Sequence, residues 1–124
     1  MATTIITSDV HLGSEHCARQ AFHAFLDSLP ADAALVLAGD TLDDPTRELP
    51  APDRELLERI YALSDTQRVV LVEGNHDSGW RPETALPRLR ETLIVDDAVG
   101  VCHGDLFDNL MTRHRWFIVL FKRL

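Results

Sequence analysis

Cysteine is scarce in this chain. Only Cys17 and Cys102 carry thiols among 124 residues. Two thiols so far apart do not make a disulfide framework, and neither lies in a Cys-x-x-Cys pair. A reducing cytoplasm is therefore the expected compartment. Basic residues are also few: 12 Lys and Arg stand against 20 Asp and Glu, for a net charge of −8. A broad nucleic-acid-binding surface needs clustered cations that displace counterions, so no nucleic-acid partner is expected. No apolar run approaches the roughly 18 residues that span a bilayer. The N-terminal stretch lacks the basic and apolar regions of a signal peptide. Repeats and low-complexity segments are absent. What remains is a 45% apolar chain, read as one domain over residues 1–124 with enough apolar material for a core.

The informative pattern is a series of apolar runs, each followed by a polar motif. Asp9-Val10-His11 follows a run at residues 3–8. Gly39-Asp40-Thr41-Leu42-Asp43 follows 34–38, Gly74-Asn75-His76-Asp77 follows 68–73, and His103-Gly104-Asp105 follows 98–102. The runs read as buried strands. Between the first two, Ala18, Ala21, Phe22, Phe25, Leu26 and Leu29 recur at helical spacing, with Ser14 as N-cap and Pro30 as stop. Residues 44–52 hold three prolines and read as a loop. Asp53 is expected to cap a second helix whose face is Leu56, Leu57, Ile60 and Leu63. A short helix near 82–91, two strands at 92–96 and 98–102 with a tight turn at Asp96-Asp97, and a helix from Asp105 to Leu124 complete the reading. The alternation predicts an α/β fold with parallel strands first and an antiparallel part later.

In open α/β sheets ligands bind just past the carboxyl ends of strands, where these four motifs lie. Asp9 and His11, two apart on an extended segment, are expected to face one side and chelate one ion. Asp40 has two oxygens to bridge a pair of ions, and Asn75 and His103 suit the second. Mixed oxygen and nitrogen donors fit Mn²⁺ first, with Fe or Zn²⁺ as alternatives. Two such ions about 4 Å apart would generate hydroxide and clamp phosphoryl oxygens. His76 is expected to assist the leaving oxygen, with Asp77 holding its imidazole in the right tautomer.

These motifs resemble those of the calcineurin-like metallophosphoesterases. The resemblance implies a four-layer α/β/β/α sandwich with mixed sheets and a dinuclear metal centre that cleaves phosphoester or pyrophosphate bonds by attack of metal-bound hydroxide. Ser8-Asp9-Val10-His11-Leu12-Gly13-Ser14 and His103-Gly104-Asp105-x-Phe107-Asp108, together with Arg113-His114-Arg115-Trp116, are similar to the UDP-2,3-diacylglucosamine diphosphatase-like branch. The substrate implied is a UDP-linked lipid, or more broadly a phosphorylated small molecule. By the family pattern Asp9, His11 and Asp40 hold the first metal, and Asp40, Asn75 and His103 the second. The family's Gly-His-x-His motif is missing, so each ion lacks one expected ligand and the sandwich reads as truncated at its C-terminal end.

The remaining residues divide between site and surface. Arg113 and His114 are read as substrate-binding, since guanidinium pairs well with phosphate. The basic and apolar segment 113–124 suits peripheral contact with the inner face of a membrane, and an open sheet edge would allow a homodimer. His16 and His23 read as surface positions on the first helix, Cys17 and Cys102 as core, Asp105 as a helix cap, and Asp43 as either an orienting group or a loop acceptor. A rival reading is a catalytically incomplete scaffold or binding protein that keeps the fold.

Overall fold

The computed structural model describes residues 3–84 and 87–104. Its elements run β1 (Thr4–Thr7), α1 (Arg19–Asp27), β2 (Ala34–Ala38), α2 (Ala51–Leu63), β3 (Val69–Val72), β4 (Arg88–Arg90), β5 (Thr92–Val95) and β6 (Val99–Cys102). The first four strands form a parallel sheet in the order β1-β2-β3-β4, and β5 and β6 form an antiparallel hairpin. The helix expected from Asp105 onward, with Arg113, His114 and the tail, lies outside the described residues.

Alternation along β2 and β3 divides the interior into two cores. Leu35, Leu37, Val69 and Leu71 face the helices and pack with Leu26 of α1 and Leu56, Leu57 and Ile60 of α2. Val36, Ala38, Val70 and Val72 face the opposite way and pack against Leu93 and Val101 of the hairpin. The described layers are thus helix, parallel sheet and hairpin, in the order of the first three layers of an α/β/β/α sandwich. Burial on both faces explains why the central strands read as continuous apolar runs. Truncating a side chain as enclosed as Leu37 costs about 2–5 kcal/mol.

Three expectations for elements are corrected. The helix read from Ser14 begins only at Arg19. Residues 14–18 instead form turns, in which Ser14 N–H donates to the His11 carbonyl and Ser14 Oγ accepts from His16 N–H. Ala18 and Ala21 remain exposed, whereas Phe22, Phe25, Leu26 and Leu29 pack on the core. Asp53 does not cap α2. It lies in the first turn, and its buried carboxylate accepts from Gly13 N–H and from the Arg19 guanidinium, which ties α2 to the loop after β1. In place of a helix near 82–91, residues 88–90 add a parallel edge strand beside β3, in register with Val70, Leu71 and Val72. The tight turn between β5 and β6 is confirmed: Asp96 and Asp97 both have positive φ, 53° and 54°, as a type I′ hairpin turn demands.

Candidate metal centre

The loops after β1 and β2 continue side by side beyond the sheet. Asp9 N–H donates to the Gly39 carbonyl at 3.0 Å, His11 N–H to the Asp40 carbonyl and Leu12 N–H to the Thr41 carbonyl, both at 2.9 Å. Asp9, His11 and Asp40 have φ of 59°, 51° and 54°. Each is a non-glycine residue in the left-handed region, a strained state at roughly 1–3 kcal/mol apiece. The expected extended Asp9-x-His11 segment is therefore corrected. Left-handed turns, not strand alternation, bring the two side chains together, and side-chain periodicity carries no signal for such turns.

Four donor atoms converge. His11 Nε2 lies 3.3 Å from Asp9 Oδ1 and 3.7 Å from Asp40 Oδ2, and His103 Nε2 lies 3.4 Å and 3.3 Å from the same two oxygens. Ligands about 2.0–2.2 Å from a shared divalent ion sit roughly 3–3.5 Å apart, so this spacing fits metal ligation. Donor atoms of Asp9, Asp40 and His103 form one group within 4.8 Å of one another, and those of His11, Asp40 and His76 form a second. Asp40 belongs to both and is buried. The partition differs from the expected one, because His103 approaches Asp9 as closely as Asp40. An oxygen and imidazole set of this kind suits hard to borderline divalent ions.

Glycines make the convergence sterically feasible. A Cβ on Gly39 would overlap the imidazole of His103, and one on Gly74 would overlap the Asp40 carboxylate. His76 contributes through its backbone as well, donating its N–H to Asp40 Oδ1 at 2.9 Å.

Asp43 orients both central imidazoles. Its Oδ1 is 3.1 Å from His11 Nδ1, and its carbonyl is 3.0 Å from His76 Nδ1. Protons on the two Nδ1 atoms leave both Nε2 atoms free for chemistry, the usual arrangement for a ligating histidine. The rings of His11 and His76 meet edge to face, 4.8 Å between centroids.

The role given to Asp77 is corrected. Its carboxylate is fully buried and accepts from Thr41 N–H at 2.8 Å and Gly74 N–H at 2.7 Å, so it ties the second and third motif loops together. The partner of the His76 ring is Asp43. Proximity in sequence suggested Asp77, but only the approach of the β2 loop reveals Asp43. Burial pushes the Asp77 carboxyl up, against the pull of the Gly74, Thr41 and Leu42 amides, and the Asp40 charge adds to the rise. For Asp9, burial also pushes up, but the Ser8 hydroxyl together with His103 and His11 outweighs it and holds the carboxyl below 3.8.

Among the described residues, two depressions border the centre. One, about 580 Å³, runs from Ser8, Asp9, His11 and Asp43 to α1. His16, expected on a helix away from the motifs, lies in a turn at the border of this cleft. The other, about 400 Å³, is lined by Asp43, Asp44, Arg47, Asn75 and His76. Asn75 is exposed there beside His76. Arg47 and the aromatic side of α1 were not singled out as site residues, because an Arg in a proline-rich loop and a Phe pair on an amphipathic helix carry no distinctive pattern. His23 is half-buried with its Nδ1 2.8 Å from Arg59, Cys17 is buried and Cys102 half-buried.

No curated protein matches the chain. Among solved structures it is similar to the Pseudomonas putida nuclease MPE, with 27% identity and a TM-score of 0.55, over 75% of this chain and 50% of that one. The chain thus spans about half the length of that nuclease. The family model for calcineurin-like phosphoesterases matches residues 2–122, and with the motif geometry above, this chain belongs to the calcineurin-like phosphoesterase family.

Proposed function

We propose that the chain is a metal-dependent phosphohydrolase that cleaves a phosphoester or pyrophosphate bond. The observation that carries this reading is the convergence of Asp9, His11, Asp40 and His103 donor atoms at ligand-to-ligand spacing. Divalent ions held there, Mn²⁺ first among them, would supply Lewis acidity for activating a water and neutralising charge on the phosphoryl oxygens. Asp9, His11, Asp40 and His103 would hold the ions, and Asn75, in the adjoining depression, would add an amide oxygen. Asp43 fixes the His11 tautomer so that Nε2 presents its lone pair. The same residue accepts from His76 Nδ1–H, so a second proton on that ring resides at Nε2. His76 then delivers it to the departing oxygen.

The finer substrate we propose is a UDP-linked diacylglucosamine, supported by the likeness of residues 8–14 and 103–108 to that branch. The similarity to a nuclease favours a second reading, the phosphodiester of a nucleic acid, while the net charge of −8 opposes it. Release of UMP from the UDP-lipid against cleavage of a DNA oligonucleotide separates the two. We further propose a cytoplasmic location.

The core test uses the chain purified from Mn²⁺-supplemented medium. About two ions per molecule and turnover of bis-p-nitrophenyl phosphate are expected. His76→Ala should cut turnover while the ions are retained, and Asp40→Ala should lose both. Loss of ions in His76→Ala would make this residue a ligand instead of an acid. A folded chain that takes up no ions would leave the scaffold reading in place.

A further inference from the structure

The larger cleft has two unlike walls. One is polar and belongs to the centre itself, with Asp9, His11 and Asp43. The other is the surface of α1, where Ala18, Ala21, Phe22 and Phe25 line the same space. Ala18 and Ala21 are exposed, and Phe22 and Phe25 are only half-buried. The two rings lie 5.8 Å apart with planes 25° from parallel. Proteins that act only on small, fully charged phosphates have no need of an apolar wall beside the reacting centre. Phe22 and Phe25 pack on the core beside Leu26 and Leu29, and what each ring leaves uncovered borders the cleft.

We infer that this face of α1 is a subsite for a planar ring, aryl or nucleobase, carried on the phosphoryl group bound at the centre. The inference rests on the phosphohydrolase reading and extends it to the substrate's organic arm. A phosphoryl group among Asp9, His11 and Asp43 has its substituent directed along a cleft of about 580 Å³, within the range of small-ligand pockets. Apolar and π contact with Phe22 and Phe25 favours a flat ring. The small alanines leave a floor against which the ring lies.

The test compares phenylphosphonate with methylphosphonate by isothermal titration on the Mn²⁺-treated full chain. The two ligands share the phosphonate and differ in the ring. Phenylphosphonate is expected to bind about tenfold more tightly, as ring stacking on the wall favours. Ala21→Trp, at an exposed position, should fill the space the ring would take and remove the difference. Phe22→Leu, which keeps apolar bulk and removes the ring, should lose most of it. Equal affinity for the two ligands, no binding of either, or a preference untouched by both variants overturns the inference. Metal analysis of the same samples reports separately on the phosphohydrolase. If p-nitrophenyl esters of thymidine 5′-phosphate and of phenylphosphonate are both turned over, the lower KM shows which ring the wall prefers.

Discussion

The backbone N–H of His76 donates to Oδ1 of Asp40 at 2.9 Å, and this one bond sets the orientation of the central carboxylate. With Oδ1 held by the third motif loop, Oδ2 faces the imidazoles of His11 and His103. The third motif therefore shapes the centre through its backbone as well as its side chains, and small changes there should reach the ligands.

Gly74→Ala tests that link. The added Cβ would overlap the Asp40 carboxylate, so the carboxylate must turn or the loop must shift. Metal content should fall well below that of the unaltered chain while the circular dichroism of the parallel sheet is kept. Retention of both ions with unaltered affinity would show that Asp40 does not depend on this close approach.

Asp77→Asn should destabilise without touching a ligand. An amide presents one oxygen and one NH₂ where two backbone N–H groups now find acceptors, so one buried donor loses its partner, at about 1–3 kcal/mol. Urea denaturation reads the difference. A change within about 0.5 kcal/mol, the usual range for surface substitutions, would contradict the tie between the loops.

Asp53→Ala should cost roughly 2–3 kcal/mol, discounted because the Arg19 side chain is 31% exposed. The variant leaves Gly13 N–H and the guanidinium without their shared acceptor. Chemical denaturation of Asp53→Ala, Arg19→Ala and the double variant gives the coupling, and strict additivity would show that the pair contributes nothing jointly.

Asp9 supplies the pH prediction. In the metal-free chain its carboxyl should titrate below 3.8, as followed by carboxyl-carbon NMR. A lowered folded-state pKa favours the folded chain above the unfolded value, and that contribution disappears as pH falls through the folded one. Ser8→Ala removes a 2.6 Å hydrogen bond and should move the midpoint upward. A midpoint at or above 3.8 in the unaltered chain would contradict the arrangement around this carboxylate.

Cys17 should be slow to alkylate. Burial pushes its thiol above 9.0, and the Asp53 charge adds to the rise despite Arg19. Thiolate is the reactive form, so iodoacetamide at pH 8 should label Cys17 at least about tenfold more slowly in the folded than in the urea-unfolded chain. Peptide mapping distinguishes it from Cys102.

The strands that carry the motifs were readable because β2 and β3 are buried on both faces, and each ends in residues with obvious donor chemistry. The Asp96-Asp97 turn was readable because short polar residues tolerate positive φ between two apolar runs. Other features had no local signature. β4 consists of Leu89 between two arginines, and only its pairing with β3 makes it a strand. Residues 14–18 share the helical spacing of α1, but the bonds of Ser14 to His11 and His16 hold them in turns. Asp43 could be suspected as an orienting group, yet its hold on His76 depends on two loops that are 33 residues apart. Asp77, next to His76 in sequence, turned away from it because Thr41 and Gly74 offered buried amides.

The left-handed backbone at Asp9, His11 and Asp40 has an evolutionary price. Glycine adopts that conformation freely, so glycine at any of the three would relieve the local strain and deprive the centre of a donor. Selection of this chain for heat tolerance alone should therefore erode these positions early, in the usual trade of activity for stability.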